Sequence, residues 1–206
     1  RFVGLAAVRR LVHQGDRILV AHRGEHLLPP EPDLTGVGQA HGPREELLTE
    51  GGPVEQFRPD VVVDTFGPGA SRDNAQQLVA AATRAGAERI VVTSSCDVYQ
   101  AAVEGGLGDG SGQVLLPSTP LPISEDAPLR SGPYPGARPG HDNVAMEGGL
   151  GGFPGSVVIL RPGTIYGPGD EICREWPLIR RARDGIRSLP LPNGGTQLLH
   201  RVSVER

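Results

Sequence analysis

Two segments constrain the fold of this 206-residue chain more than any others: Arg89-Ile-Val-Val-Thr-Ser-Ser-Cys-Asp-Val-Tyr99 and Val157-Val-Ile-Leu-Arg-Pro-Gly-Thr-Ile-Tyr-Gly-Pro-Gly-Asp170. Each is a short apolar run that empties into small, polar, loop-forming residues. That is the pattern of a parallel strand buried on both faces and ending at a site. The rest of the chain alternates. Phe2 to His13 carries Val3, Ala6, Ala7 and Leu11 at helical spacing and stops at Gly15, a helix with a glycine exit. Arg17 to Ala21 predicts a strand, Gly24 to Gly42 an irregular excursion and Arg44 to Glu50 a short helix. Val61 to Asp64 and Arg89 to Thr93 predict strands flanking an Ala- and Gln-rich helix over Asn74 to Ala85. Asp142 to Leu150 predicts a helix, Val157 to Leu160 a strand, and Glu175 to Asp184 a helix carrying Trp176, Leu178 and Ile179. This order predicts an α/β fold with a doubly wound parallel sheet.

Composition narrows the class. With 37% hydrophobic and 21% charged residues the chain suits one soluble globular domain, and 30 Gly and 20 Pro make it rich in loops. A net charge of −4, with arginines spread along the chain, offers no basic face, so nucleic acid is not an expected partner. A small anionic ligand held locally is. No apolar run approaches the roughly 20 residues that a spanning helix needs, so no membrane is expected, and the cytoplasm is the expected compartment. Cys96 and Cys173 lack the local spacing of a zinc site and read as reduced thiols. Gly105 to Gly112 is low-complexity, and turn-forming sequence continues to about Arg130. The span of about 101–130 therefore reads as a flexible surface insertion or lid. All 20 basic residues are arginine.

The two opening segments resemble the extended short-chain dehydrogenase/reductase family, the NAD-dependent sugar epimerases and dehydratases. Further matches support the resemblance. Arg1-Phe-Val-Gly4 looks like the tail of the family's glycine-rich turn, Asp142-Asn-Val-Ala-Met-Glu147 like its Lys-x-x-x-Glu helix, and Asn193 to Glu205 like a segment from the middle of a family chain. The resemblance implies a Rossmann-like sheet that here lacks its first strand and most of the C-terminal substrate region. A fragment of a longer product or a damaged copy is the expectation, with the substrate-binding part beginning at about 164–206. Since the absent strand would lie between those at Arg17 and Val61, two interior sheet edges are expected to lack their partner.

For function, the resemblance implies hydride transfer with NAD or NADP on a nucleotide sugar or related hydroxyl or ketone substrate, in a dimer. Phe2, Val3 and Gly4 would border the pyrophosphate at a helix N-terminus, where free N–H groups and the helix dipole favour an anion. Arg23, in Ala21-His-Arg-Gly24, stands near where an acidic residue would grip the NAD ribose, and it inclines the reading toward NADP. Thr65, Phe66 and Gly67 would wall the pyrophosphate and ribose, while Pro162 and Gly163 would lie near the nicotinamide. Ser95 occupies the position whose hydroxyl bonds the reacting oxygen.

The family's Tyr-x-x-x-Lys pair has two candidate registers here. Tyr134-Pro-Gly-Ala-Arg138 keeps the spacing with Arg138 as the cation. Alternatively, Asn143 takes the Lys position and Pro139 the Tyr position, which gives a more natural spacing to the Val157 strand. Asn supplies hydrogen bonds but no charge, and Arg's planar fork is no simple substitute for an ammonium. His141, whose ordinary pKa suits proton transfer, is a further candidate for that role. A protein that binds the dinucleotide without catalysis is the alternative function.

Overall fold

A computed structural model describes residues 2–25, 28–65, 69–104, 122–173, 175–188 and 200–205. Helix α1 (Phe2–Gln14) ends at Gly15, whose φ of 85° is the left-handed exit that glycine supplies without steric penalty. Strand β1 (Leu19–His22) pairs in parallel with β2 (Gly38–His41), Leu19 opposite Gly38. Two short helices, α2 (Arg44–Leu47) and α3 (Pro53–Phe57), lead into β3 (Val61–Asp64). Then come α4 (Arg72–Ala85), β4 (Arg89–Thr93), α5 (Gln100–Glu104), α6 (Asn143–Gly149) and β5 (Ser156–Leu160). The chain closes with β6 (Thr164–Tyr166), α7 (Trp176–Arg183) and β7 (Arg201–Ser203).

The parallel α/β architecture agrees with expectation, and the sheet is divided where the sequence implied. β3, β4 and β5 form one three-stranded parallel sheet, β1 and β2 a separate pair, and β6 and β7 a third. Among the described residues no strand joins the β1 edge to the β3 edge. Several local expectations need correction. β2 lies inside the stretch read as irregular, because Gly-Gln-Ala-His has no apolar run to announce it. Backbone bonds hold it, with Gly38 N donating to Ile18 O at 3.0 Å and Gly42 N to His22 O at 3.1 Å. The short helix expected over Arg44 to Glu50 ends at Leu47, and a second helix, not anticipated, follows beyond Gly51 and Gly52. β6 lies within a segment read only as strand end and turn. The low-complexity stretch Gly105–Gly112 lies outside the described residues, as does most of the span read as an insertion.

The core sits on one face of the three-stranded sheet. Register aligns Val62, Ile90 and Val157 in one row, and the next row on that face adds Val92 and Ile159. All five belong to a cluster with Leu78, Ala82, Met146, Leu150 and Phe153 from the α4 and α6 side. The other face carries Val63 beside Val91 and Val158, and Val61, Val63, Val158 and Leu160 are exposed there. Helix α4 is capped at both ends. Ser71 Oγ accepts from Asn74 N at 3.2 Å, and Gly86 closes the C-terminus at φ 77°. Its buried face is Ala75, Leu78, Ala81, Ala82 and Ala85, a mostly alanine surface that lets α6 approach closely. Among the described residues no helix is long and apolar enough to cross a membrane.

That close approach generates a prediction. A Cβ at Gly149 would lie 2.8 Å from both Ala75 Cβ and Arg72 O, whereas one at Gly152 would meet nothing within 4 Å. Gly149→Ala should destabilise the fold by about 1–3 kcal/mol through overpacking, and Gly152→Ala should be nearly silent. Urea unfolding of the two variants checks this, and equal midpoints would refute the tight α4–α6 contact.

Candidate active site

The loops that leave β4 and β5 are laced to one another at the C-terminal edge of the sheet. Ser94 N donates to Leu160 O at 2.7 Å and Cys96 N to Pro162 O at 2.9 Å. Ser95 caps the short 3-10 turn Cys96–Val98, its Oγ accepting from Asp97 N at 3.2 Å. Together with the start of α1 these loops border an open cleft of about 420 Å³, within the usual range for small-molecule sites. Phe2 and Val3 line it, with Ser94, Ser95, Cys96, Asp97, Ala102, Tyr134, Pro162, Gly163, Thr164, Ile165, Asp170 and Ile172.

Six of the residues singled out from sequence therefore meet in one place: Phe2, Val3, Ser95, Tyr134, Pro162 and Gly163. Gly4 lies one step back, where a Cβ would sit 3.0 Å from Thr65 Oγ1, so α1 and the end of β3 touch through these two residues. Phe66 and Gly67 lie outside the described residues. Arg23 is not at the cavity. It is exposed beyond β1 and forms a 3.3 Å ion pair with Glu25. Nearby, the His22 and His41 rings meet edge to face at 4.4 Å.

The two candidate registers for the proton-transfer pair differ in local structure. Tyr134 to Arg138 is a turn, with Ala137 N donating to Tyr134 O and Gly136 at φ 76°, so no helical face unites Tyr134 with the exposed Arg138. Asn143 is the first residue of α6, 4% exposed, and its Nδ2 donates to both carboxylate oxygens of Asp97 at 3.0 and 3.1 Å. His141 is half-buried just before the Asp142 cap of that helix and does not line the cavity. Tyr134 reaches the cavity without its expected cation. Burial pushes its phenol up, the charge of Asp97 and then Cys96 push the same way, and Arg130 opposes them. Burial likewise raises the Cys96 thiol.

Sequence reasoning missed three groups. Asp97 is a carboxylate that lines the cavity, as does Asp170. Arg130 is a buried cation donating to Asp97 O at 3.0 Å, Gly132 O at 2.5 Å and Asp142 Oδ1 at 2.8 Å. Glu147 is the third, its side chain 6% exposed and gripped through both oxygens by Arg161, Nε at 3.0 Å and Nη2 at 2.7 Å, with Ser94 Oγ adding a 2.5 Å bond. Arg161 also donates to the hydroxyl of Tyr99, which packs in the core. For Glu147 a signal existed, since Asn143 and Glu147 share the Lys-x-x-x-Glu spacing. For Arg130, in a proline-rich stretch, there was none.

No protein-family model and no curated protein sequence matches the chain. Solved structures do. MoeE5 in complex with UDP-glucose and NAD is 25% identical with a TM-score of 0.65, covering 98% of this chain and 64% of that one. The Bordetella bronchiseptica enzyme WbmG in complex with NAD and UDP is 21% identical with a TM-score of 0.62, covering 91% of this chain and 58% of its own length. TunA, an NAD-dependent NDP-hexosamine 5,6-dehydratase involved in tunicamycin biosynthesis, is 21% identical with a TM-score of 0.61, covering 98% and 65%. The chain thus spans about six tenths of the length of these structures. The resemblance read from the two strand-end segments holds at the level of architecture: this chain has the Rossmann-like fold of the NAD-dependent epimerase/dehydratase enzymes.

Proposed function

We propose that this chain is the dinucleotide-binding part of an NAD- or NADP-dependent epimerase, dehydratase or reductase acting on a nucleotide sugar or related hydroxyl or ketone substrate. The observation that carries the reading is the convergence of Phe2, Val3, Ser95, Pro162 and Gly163, drawn from three distant segments, on one cavity at the C-terminal edge of the sheet. That edge is where ligands bind in open α/β sheets. The residues suit the cofactor. The first turn of α1 has no acidic side chain to compete with a pyrophosphate for its free N–H groups. Structures similar to this chain hold NAD, two of them with UDP or a UDP-sugar, which favours the same classes of ligand here. Bound, the cofactor supplies hydride acceptance and return. Ser95 is the group proposed to bond the reacting oxygen, and Tyr134 the nearest proton carrier.

The second reading, a protein that binds the dinucleotide without turnover, has its own support. Asn143, in the register of the family lysine, is buried and committed to Asp97, and the phenol of Tyr134 is raised rather than lowered. Calorimetric titration of the full-length protein with NAD and NADP, followed by assays on UDP-sugars, separates the readings. Binding with turnover supports the first, binding without turnover the second, and no binding refutes both. If NADP is preferred, Arg23→Ala should weaken NADP about tenfold and leave NAD unchanged, as expected for one lost phosphate contact.

The direction of the Tyr134 shift gives a pH prediction. A phenol held above its ordinary value of about 10 keeps its proton through neutral pH, so it can donate a proton but cannot serve as a phenolate base. Reduction of a ketone substrate should then be nearly flat from about pH 6 to about pH 9, while oxidation of the alcohol should climb toward alkaline pH. Tyr134→Phe should lower the first and abolish the climb in the second. A bell centred near neutrality in both directions would exclude Tyr134 as the proton carrier.

A further inference from the structure

We infer that the cavity discriminates the redox state of a bound nicotinamide, favouring the oxidised ring over the reduced one, with Asp97 as the residue that determines the preference. This deepens the proposed function and rests on it.

The start of α1, at Phe2 and Val3, presents the positive end of a 13-residue helix to the cavity. Asp97, in the loop after β4, and Asp170, in the turn after β6, are the two carboxylates among the described residues that line the same space, no Arg or His lines it, and Asp97 is the one beside Asn143 and Tyr134. The cavity is thus polarised in the sense that suits a ligand with an anionic pyrophosphate and a cationic ring. The oxidised nicotinamide ring carries a positive charge, and the reduced ring is neutral.

The partners of Asp97 leave that charge in place. Both carboxylate oxygens accept from the neutral amide of Asn143. The one buried cation nearby, Arg130, meets the main-chain oxygen of Asp97 and gives its ion pair to Asp142 at 2.8 Å instead. The influence of Asp97 is felt across the cavity, since its charge helps to raise the phenol of Tyr134. In the Lys-x-x-x-Glu register a lysine would place an ammonium against this carboxylate. Asn143 orients the carboxylate without cancelling it. The absence of lysine, a defect on a purely catalytic reading, here sets the sign of the cavity.

Were the ring to bind within about 10 Å of this carboxylate, a unit charge in a medium of effective dielectric constant about 20 would suffice for a preference of about tenfold or more. The test is paired titration of the full-length protein with oxidised and reduced NAD, following calorimetric heat for both and the fluorescence of the reduced form. The oxidised form is expected to bind about tenfold more tightly. Asp97→Asn should bring the two affinities together by weakening the oxidised form alone. Asn143→Lys, which sets a cation against the same carboxylate, should erase the preference by a different substitution. Equal affinities in the unsubstituted protein, tighter binding of the reduced form, or a preference that survives in a folded Asp97→Asn protein would each overturn the inference while leaving dinucleotide binding intact. Binding of neither form would remove the proposed function itself.

Discussion

Arg161 and Glu147 meet through two parallel hydrogen bonds at a point where three chain segments must end together. Arg161 follows β5, Glu147 belongs to α6, and Ser94, which adds a third bond to the carboxylate, follows β4. A carboxylate with 6% of its side chain exposed would be strongly disfavoured without such a partner. The bidentate fork fixes orientation as well as distance. Arg161 spends its remaining nitrogen on the Tyr99 hydroxyl and Glu125 O, tying the loop before α6 to the same point. Next to this clamp, the loops carrying Ser95 and Pro162 run side by side into the cavity. The position of the candidate site is therefore set by an ion pair that lines no part of it.

Legibility from sequence followed the physics of each element. β3, β4, β5 and α4 were readable because their burial is periodic and their apolar runs are bounded by capping or turn residues. β2 was not, because a strand of Gly38, Gln39, Ala40 and His41 is specified by its neighbour's backbone and carries no hydrophobic signal. The same division runs through the site. Ser95, Pro162 and Gly163 sit at strand ends, where the register of a strand carries its loop to the ligand edge, and they were found. Arg130 and Asp97 act through contacts between segments 33 residues apart, which no local pattern encodes. Arg138 misleads in the opposite way, having the right spacing to Tyr134 in a stretch whose Pro135 and Gly136 cannot hold a helix.

The divided sheet has an energetic counterpart in the exposure of its strands. Parallel strands are normally covered on both faces, and β3 is built of Val61, Val62 and Val63 as such a strand should be. Only Val62 reaches the core, and Val61 and Val63 are 45% and 43% exposed. The sequence of β3 is thus that of an interior strand, while its surroundings among the described residues are those of an edge. Exposed edges and flat apolar faces favour association with other chains, so this part of the molecule depends most on what surrounds it. The α4 and α6 face does not, since Ile90, Ala82 and Leu150 are already sealed there.

Seen together, these features separate holding from reacting. Everything that shapes the cavity is intact: the α1 start, the laced β4 and β5 loops, and the Arg161–Glu147 clamp. Neither candidate register supplies a tyrosine with a cation on one helical face: Arg138 is exposed on a turn away from Tyr134 in the one, and the neutral Asn143 stands where the cation would be in the other. A fold can keep a pocket while its chemistry shifts, because packing constrains shape through many small contacts whereas catalysis depends on one or two charges. Asn143 is the residue in which both constraints meet. Buried at the start of α6, it satisfies Asp97 through hydrogen bonds and so preserves the local structure, and by staying neutral it changes what the cavity attracts.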